Sequence, residues 1–486
     1  MKTWKMLIDG KWVTSSSGKT FESLDPATEK PVGRFQEGNA DDVNRAVEAA
    51  KKAYEKWKSV PAPKRGLILL KAAELMRKKK KELGRIVARE MGKILPEANG
   101  DVQEAIDMAE YMAGEGRRLL GHTTTSELPD KFAMTKRMPV GVYGLITPWN
   151  FPIAVPSWKI FPCLVCGNTF VFKPASDTPL CAIKLIEILE KAGLPGGVVN
   201  MVTGSGRGVG TPLVKHREVG GISFTGSREV GEHILKDAGI KKLGLELGGK
   251  NGIIVMDDAD LKLALDGVLW GGYGTTGQRC TAASRVIVHE KIRKKFERML
   301  VNRIRRLKLG NGLAAKTEVG PLINSAAVEK VHKYTGIGKE EGARLLCGGK
   351  PAKRRGFFYE PTLFTDAKPD MRIAQEEIFG PTVCIISVSS LEEAIDVMNG
   401  ITYGLSSAIY TRDIRNAFVA IENIEAGLTY VNSSTIGSEV HLPFGGVKKT
   451  GSTREAGIEG INEFSETKTI YVDYSGKLQK AQMDVD

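Results

Sequence analysis

A cysteine and a glutamate stand in surroundings that suit a nucleophile and its base. Cys280 lies in the run GQRCT (277–281), where small and polar neighbours leave room for a substrate beside the thiol. Glu246 lies in LELGGK (245–250), on a short apolar run that leads straight into two glycines. A thiolate can attack an electrophilic carbon, and a carboxylate nearby can act as a base. The pair therefore indicates covalent catalysis through a cysteine.

A third polar residue, Asn150, follows Pro148 and Trp149 at the end of an apolar run. Its carboxamide could donate a hydrogen bond to a developing oxyanion. An asparagine in a turn can also bond its own backbone. Taken alone, the residues favour neither interpretation.

Length, charge and cysteine content narrow the class of protein. A chain of 486 residues predicts two domains, and no apolar run reaches the roughly 18 residues of a membrane span. The net charge of +13 raises the question of nucleic acid, but the basic residues are spread, and the densest run, 77–81, lies in a helical pattern. We expect neither nucleic acid nor membrane as a partner. We also expect a cytoplasmic location, because no signal peptide is visible.

Six cysteines are too few for a disulfide framework. Cys163 and Cys166 form a C-x-x-C pair, but neither a second such pair nor a histidine lies nearby, and the flanks are apolar. We expect buried thiols there and no metal site in the chain.

Between residues 141 and 256, short apolar runs alternate with helical patterns such as 179–192 and 229–238. The predicted strands of this set are 141–147, 169–172, 198–202, 221–224, 243–247 and 252–255. Such alternation requires crossover connections and predicts a parallel sheet covered on both faces. A nucleotide would bind at the carboxyl ends of its strands.

A second alternating set begins near residue 260, and residues 39–120 are mostly helical in pattern. The predicted strands of the second set are 284–288, 383–388, 407–410 and 428–431. Two isolated strands, 131–138 and 467–474, could form an arm that pairs with another subunit. The sequence thus predicts an α/β fold with a Rossmann-like parallel-sheet cofactor domain, a second α/β catalytic domain and a small β-strand oligomerisation arm.

Turns after the predicted strands suit a nucleotide to different degrees. The run 204–210 only partly matches a dinucleotide fingerprint, because the third glycine would fall on Val209, and a plain strand-to-helix turn explains it equally well. The run FTGS (224–227) suits a phosphate better, because it ends a strand and opens a helix. Lys173 ends another strand and could bond ribose hydroxyls, or it could be a surface lysine before a turn.

Seven short motifs occur together in a fixed order. They are PWNFP (148–152), KPA (173–175), FTGS (224–227), ELGGK (246–250), GQRC (277–280), EIFGP (377–381) and PFGG (443–446). In this order they resemble the aldehyde dehydrogenase superfamily over essentially the whole chain. The resemblance implies oxidation of a small-molecule aldehyde to a carboxylate with reduction of NAD or NADP. It also implies a homo-oligomer, a dimer or tetramer joined by the strand arm.

The resemblance assigns roles to single residues. Cys280 matches the nucleophile, Glu246 the general base, and Asn150 the oxyanion donor beside the Cys280 N–H. The cofactor positions are Ile146, Thr147, Pro148, Trp149, Lys173, Ser176, Gly206, Phe224, Gly226, Ser227, Leu247, Gly248, Glu377 and Phe379. The substrate positions are Phe151, Trp158, Arg279, Thr281, Phe444 and Glu104.

The expected domain bounds follow from the same matches. They are 1–130 and 139–251 for the dinucleotide-binding domain, 252–440 for the catalytic domain, 441–466 for a segment returning to the cofactor domain, and 131–138 with 467–486 for the arm.

One departure from the family pattern concerns the cofactor. Many NAD-preferring members place a glutamate three residues after the ribose lysine, where it bonds the adenosine 2′-hydroxyl and repels a 2′-phosphate. Ser176 stands there in this chain. A serine removes the repulsion and can donate to a phosphate, so we expect the cofactor to be NADP or NAD, with NADP accepted.

Arg279 bears on the identity of the aldehyde. It could bind the far carboxylate of a semialdehyde, or it could pair with a carboxylate of its own chain. The segments 278–281 and 438–443 resemble members that act on α-ketoglutaric or aminoadipic semialdehyde, and Glu104 falls where the aminoadipic type places an acid for the substrate amine. We therefore expect a small carboxylated aldehyde as substrate.

Other functions compete with this one. A broad-specificity aldehyde or glyceraldehyde dehydrogenase is one alternative. A CoA-acylating aldehyde dehydrogenase is less favoured, because such relatives usually lack the glutamate base. A non-catalytic protein of the same fold is disfavoured, because Cys280, Glu246 and Asn150 are all present.

Overall fold

The computed structural model describes residues 1–480 and 482–483. Residues 481 and 484–486, which belong to the expected arm segment 467–486, lie outside the described residues. Within the described part of the chain, no helix is both long and apolar enough to cross a bilayer.

Helices form where apolar residues recur on one face and capping residues precede them. Asn39 caps the first helix, because its side chain accepts the N–H groups of Asp41 and Asp42. The helices are α1 (Ala40–Trp57), α2 (Ala62–Met91), α3 (Leu95–Glu115), α4 (Ala154–Val165), α5 (Pro179–Ala192), α6 (Thr211–Lys215), α7 (Arg228–Asp237), α8 (Leu261–Tyr273), α9 (Glu290–Ile304), α10 (Ser325–Glu340), α11 (Arg372–Gln375), α12 (Leu391–Asn399), α13 (Ile414–Asn423) and α14 (Gly457–Glu463). Tighter or wider helical turns occur at Gly206–Gly210 and Gly274–Gly277.

Strands form along the short apolar runs between these helices. They are β1 (Met6–Ile8), β2 (Lys11–Val13), β3 (Thr20–Asp25), β4 (Lys30–Gln36), β5 (Thr123–Thr125), β6 (Lys131–Pro139), β7 (Val142–Ile146), β8 (Thr169–Lys173), β9 (Val199–Met201), β10 (Gly221–Thr225), β11 (Lys242–Glu246), β12 (Asn251–Val255), β13 (Ala283–His289), β14 (Arg344–Cys347), β15 (Thr362–Thr365), β16 (Thr382–Val388), β17 (Tyr403–Gly404), β18 (Ser406–Tyr410), β19 (Leu428–Val431), β20 (Val447–Lys448) and β21 (Ser465–Asp473).

The first sheet has the strand order β11-β10-β7-β8-β9-β1-β2. Strands β7 to β11 run parallel, and β1 and β2 complete the edge in the antiparallel sense. Apolar residues cover both faces: Tyr143 and Phe170 pack towards α2 to α5, whereas Val142 and Val171 pack towards α1 and α6. The parallel sheet predicted from the alternation is confirmed, and its strands agree to within one residue.

The second sheet has the order β14-β15-β16-β13-β12-β18-β19 and is parallel except for β14. The grouping of 252–255 with the first set was wrong, because β12 pairs with β13 and β18 at the centre of the second sheet. Gly248 and Gly249 carry the chain from one sheet to the other. Alternation along the sequence reveals that a strand exists but not the sheet to which it belongs.

The two isolated strands pair with each other within one chain. β21 runs antiparallel to β6 from Ser465↔Pro139 to Asp473↔Lys131, and β5 adds to the other side of β6. The outer edge of β21 carries exposed side chains, among them Tyr471 at 64% exposure. The arm is therefore a small three-stranded sheet with β21 at one edge and the shorter β5 at the other.

The C-x-x-C pair lies in the core between α4 and the first sheet. Cys163 and Cys166 are buried and free, as expected, and burial raises the pKa of Cys166 to about 12. Both thiols therefore act as small apolar side chains.

Candidate active site

A cleft of about 550 Å³ opens where the strands of the first sheet end. Ile146, Lys173 and Thr225 are the last residues of β7, β8 and β10. The parallel register aligns Ile146 with Lys173 and with Phe224, and Thr225 with Glu246. The carboxyl ends of four strands therefore meet along one wall of the cleft, where α/β sheets bind ligands.

The cleft brings together the residues that the sequence assigned to the cofactor. All fourteen of those positions line it, with Asn150, Phe151 and Cys280. The other assigned residues, which do not line the cleft, are Glu246, Trp158, Arg279, Thr281, Phe444 and Glu104. Lining residues that sequence reasoning missed are Val155, Ala175, Asp177, Gly210, Thr211, Val214, Thr225, Val230, His233, Ile234, Asp237, Ala327, Lys330 and Ile378. Ala175, Thr225 and Ile378 lie within the matched motifs, and the apolar spacing of Val230 and Ile234 on α7 was a further signal.

The turn before Cys280 has a strained backbone. Thr275 and Thr276 both adopt left-handed conformations, with φ of 50° and 59°. β-branched residues rarely occupy this region, and each such residue costs about 1–3 kcal/mol. Gly277 follows with φ of 69°, and a side chain there would meet the Gly380 carbonyl oxygen at 2.2 Å. The backbone conformation that leads to Cys280 therefore requires glycine at position 277.

Cys280 is anchored against the segment that follows Glu246. The Asn251 Nδ2 atom donates to the carbonyl oxygens of Cys280 (2.6 Å) and Ala282 (3.0 Å). A side chain at Gly249 would lie 2.5 Å from the Cys280 carbonyl oxygen. The second glycine of the motif thus permits the close approach of the nucleophile backbone. Asn251 was missed, because a single asparagine at the start of a strand gives no local signal.

Burial controls the charges of the nucleophile and its neighbour. Burial first, then the carboxylates of Glu246 and Glu377, raise the pKa of Cys280 to about 12. Burial and the nearby Glu455 raise the pKa of Glu246 well above its ordinary value. The Glu246 Oε1 atom is buried and lacks a hydrogen-bond partner among the described residues. Burial therefore keeps the proton on Cys280 at neutral pH, and it favours the neutral form of Glu246 over the carboxylate.

Asn150 reaches the nucleophile segment. Its side chain is 5% exposed, and its Nδ2 atom donates to the carbonyl oxygen of Gln278 at 3.0 Å. A carboxamide has two N–H groups, so one remains for another acceptor. The side chain therefore links the end of β7 to the residues just before Cys280.

Polar groups and glycines in the cleft fit a dinucleotide. The Glu377 Oε1 atom accepts the Gly249 N–H at 2.9 Å, and Gly248 leaves room for the same carboxylate. Burial lowers the pKa of Lys173 to about 8, and the nearby Asp177 opposes that shift. Ser227 caps α7, so the helix N-terminus faces the cleft and can hold a pyrophosphate. Ribose, phosphate and ring-stacking positions thus occur in one groove.

The aromatic wall of the cleft includes Phe379, which has φ of 60° and packs edge-to-face on Trp149 with ring centroids 5.5 Å apart. Trp158 and Phe444 make a second edge-to-face pair at 5.0 Å behind the cleft. The carbonyl oxygen of Thr281 accepts the Thr435 hydroxyl at 2.7 Å.

Ser176, the position from which NADP use is predicted, is followed by an acidic residue whose charge would repel a 2′-phosphate. The Ser176 hydroxyl donates to the Gly204 carbonyl oxygen at 3.0 Å. Asp177 lines the cleft beside it, and its carboxylate accepts a hydrogen bond from the Asn324 side chain at 3.0 Å. The run 204–210 forms a strand-to-helix turn, of which Gly206 and Gly210 line the cleft. A carboxylate therefore remains in this region although position 176 is a serine.

Arg279 is engaged by its own chain. Its Nε atom donates to the Thr275 hydroxyl at 2.8 Å, and its Nη2 atom lies 3.4 Å from Glu97 Oε1. The guanidinium stacks on Trp270, with Cζ 4.6 Å from the ring centroid. The pairing with a carboxylate of its own chain, one of the two interpretations, is thus present, and Glu97 was not foreseen.

Glu104 belongs to the same group of charges as Arg279. Burial and the neighbouring Asp101 raise the pKa of Glu104 to about 8, whereas the nearby cations Lys93 and Arg279 oppose the increase. Glu104 and Arg279, the two charged residues that were predicted to contact the substrate, therefore lie close enough to influence each other's pKa.

Fold and site together define a class of enzyme. The profile described as "Aldehyde dehydrogenase family" matches residues 12–470, and the chain belongs to that family. It is therefore an oxidoreductase that acts on aldehydes with NAD(P).

Named relatives and a solved structure support the assignment along the whole chain. The chain is 44% identical to an alpha-ketoglutarate semialdehyde dehydrogenase of Haloferax volcanii, over 97% of this chain and 99% of the relative. It is 41% identical to an alpha-ketoglutaric semialdehyde dehydrogenase of Bacillus subtilis, over 97% and 98%. The crystal structure of betaine aldehyde dehydrogenase from Staphylococcus aureus in complex with NAD+ superposes with a TM-score of 0.96 at 37% identity, covering 98% of this chain and 95% of that one.

Proposed function

We propose that the protein oxidises a small carboxylated aldehyde to the acid through a covalent thioester on Cys280. The observation that carries the proposal is that Cys280 and Asn150 line the same cleft as the expected dinucleotide positions, while Glu246 lies close enough to raise the pKa of Cys280. Among the described residues that line the cleft, Cys280 is the only one with a thiol.

The first step is attack on the aldehyde. Cys280 loses its proton to a base, and its sulfur bonds the carbonyl carbon. The oxygen becomes an oxyanion, which accepts hydrogen bonds from the free Asn150 N–H and the Cys280 backbone N–H. NAD(P) would be held by Lys173, Glu377 and the turn at Ser227, and it would supply the acceptor for the hydride of this carbon. Loss of the hydride leaves the substrate as a thioester on Cys280.

The second step is hydrolysis of the thioester. Glu246 takes a proton from water while the water oxygen bonds the acyl carbon. The carbon–sulfur bond then breaks, the acid leaves, and the Cys280 sulfur recovers a proton. The raised pKa of Glu246 suits this role, because burial makes its carboxylate a stronger base than that of an exposed glutamate.

Two variants test the mechanism. Cys280→Ala should abolish turnover, whereas Cys347→Ala, a half-buried thiol on β14, should leave it intact. Glu246→Gln should keep a rapid first turnover but slow the steady state, because hydrolysis loses its base. Near-normal turnover of Cys280→Ala, or a Glu246→Gln enzyme slowed equally in both phases, would refute the mechanism.

The cofactor proposal rests on Ser176. A serine removes the carboxylate that repels a 2′-phosphate, and its hydroxyl can donate to the phosphate after turning from the Gly204 carbonyl oxygen. Asp177 places a negative charge close by, which weakens but does not cancel this effect. We therefore expect both NADP and NAD to be used.

The substrate proposal rests on Arg279 and Glu104. The guanidinium keeps N–H groups beyond those given to Thr275 and Glu97, and these can bind the far carboxylate of a semialdehyde. Two of the relatives above are named for such a substrate. The engagement of Arg279 by Glu97 favours the alternative, a broad-specificity aldehyde or glyceraldehyde dehydrogenase. A CoA-acylating reaction is disfavoured by the presence of Glu246.

The assembly proposal rests on the arm. β21 forms one edge of the arm and carries Tyr471 and Val472 in exposed positions, and the exposed Tyr474 directly follows it. An unpaired edge with exposed aromatic residues recruits another strand. We propose that the arms join subunits into a homo-oligomer, with a homotetramer as the favoured state.

A further inference from the structure

Helix α3 carries two buried carboxylates one turn apart, and they contact two different parts of the site. Glu97 is 8% and Asp101 is 1% exposed, and residues four apart share a face of a helix. We infer that Glu97 and Asp101 are positioning residues, which fix the distance between the oxyanion donor and the nucleophile. The inference rests on the roles proposed above for Asn150 and Cys280.

Asp101 holds the segment that carries the oxyanion donor. Its Oδ1 atom accepts the N–H of Ala154 at 2.6 Å and that of Ile153 at 3.3 Å. These N–H groups begin α4, where Ile153 has no side-chain acceptor to offer as a cap. The Asp101 carboxylate therefore caps α4 at Ile153, which lies three residues after Asn150.

The same carboxylate holds Lys93, and Lys93 holds Phe151. Asp101 Oδ2 lies 3.0 Å from Lys93 Nζ, and both side chains are fully buried. The ammonium also sits 3.6 Å from the centroid of the Phe151 ring. The quadrupole of the ring attracts a desolvated cation placed over its face. The residue next to Asn150 is thereby fixed by the acid of α3.

Glu97 holds the segment that carries the nucleophile. Its Oε1 atom accepts the Thr275 N–H at 2.8 Å and lies 3.4 Å from Arg279 Nη2. Thr275 is one of the two left-handed threonines, and a strained residue needs such outside support to persist. Arg279 returns to the first segment, because its Cζ atom lies 5.3 Å from the Phe151 ring centroid.

The two segments belong to different sheets. Residues 150–154 follow β7 of the first sheet, whereas 274–280 precede β13 of the second. The Asn150–Gln278 hydrogen bond and the contact of Arg279 with the Phe151 ring link them directly, and α3 adds a carboxylate to each side. A displacement of 1 Å between reacting groups can cost about 100-fold in rate. Loss of either carboxylate should therefore slow chemistry more than binding.

The test uses Glu97→Gln and Asp101→Asn in the full chain, with propanal as the aldehyde. Each should slow the first-turnover formation of reduced cofactor by about 10- to 100-fold. The dissociation constant of NAD, read by fluorescence quenching, should change less than about twofold. Glu110→Gln is the matched control, because that acid lies on α3 but pairs with Arg77 at the surface.

A double-mutant cycle separates positioning from general damage. If Asp101 acts through Asn150, then Asp101→Asn should cost less than about threefold in an Asn150→Ala background. Multiplicative effects would overturn the inference, as would first-turnover rates equal to those of Glu110→Gln. Because Asp101→Asn leaves a buried ammonium unpaired, Lys93→Met/Asp101→Asn provides a second, uncharged variant. Residual turnover in Cys280→Ala would instead refute the proposed mechanism itself.

Discussion

Replacement of Arg279 by methionine tests the substrate proposal most directly. The guanidinium has five N–H groups, and two of them serve Thr275 and Glu97. The remaining groups allow a charge-assisted contact with a substrate carboxylate but not the full bidentate fork. Such a contact is worth about 1.5–2 kcal/mol, the lower part of the range for hydrogen bonds to charged groups. The site is 8% exposed, so solvent screens this contact little.

The expected result is a change in substrate preference. The ratio of kcat/KM for α-ketoglutaric semialdehyde to kcat/KM for propanal should fall by about 10- to 30-fold in Arg279→Met. Any shift of the nucleophile turn acts on both substrates and cancels in the ratio. The assay is the initial rate of cofactor reduction with each aldehyde. Arg65→Met is the control, because Arg65 is a buried arginine that donates to the Val165 carbonyl oxygen. Equal losses for both aldehydes would refute the carboxylate role.

Further predictions concern the cofactor, the assembly and the thiol. Ser176→Glu should lower kcat/KM for NADP relative to NAD by at least about tenfold, because like charges then face each other; a wild-type enzyme that ignores millimolar NADP would contradict the reasoning. Deletion of all residues after Glu466 should convert the oligomer into smaller species in light scattering, and a wild-type monomer at micromolar concentration would count against the arm. Alkylation of Cys280 by iodoacetamide should accelerate from about pH 7 to about pH 11, because its pKa is raised to about 12. Glu246→Gln should shift that profile to lower pH, and a plateau below about pH 9 in the wild type would disprove the assignment.

The local sequence pattern was sufficient to predict the helices and strands and many of the residues that line the cofactor cleft. The strands β7, β8, β10 and β11 are short apolar runs between helices, and their register alone brings Lys173 and Glu246 to one edge. Motifs then identified the turns after those strands. These features are encoded within a few neighbouring residues, so a single sequence reveals them.

The same reasoning could not predict contacts between residues that lie far apart along the chain. Residues 39–120 were predicted as mostly helical without a helix start at Leu95, where α3 begins with Pro96 in its first turn. Glu97 and Asp101 were therefore not considered, although both touch the active site. Their partners Thr275 and Ala154 lie far away along the chain. No local spacing predicts such pairs. For the same reason, the alternation of strands and helices grouped strand β12 with the first sheet, although it pairs with β13 and β18 of the second.

The two left-handed threonines have a consequence for engineering. A Thr276→Gly enzyme would relax a conformation that costs about 1–3 kcal/mol in the wild type. The Thr276 hydroxyl also donates to the Gly320 carbonyl oxygen at 3.1 Å, so this tether between the turn and the rest of the second domain would be lost. Relief of strain would stabilise the folded chain, whereas loss of this tether and the added backbone freedom of glycine would destabilise it. A threonine at 276 thus accepts a strained backbone in return for a turn that is held in place beside Cys280.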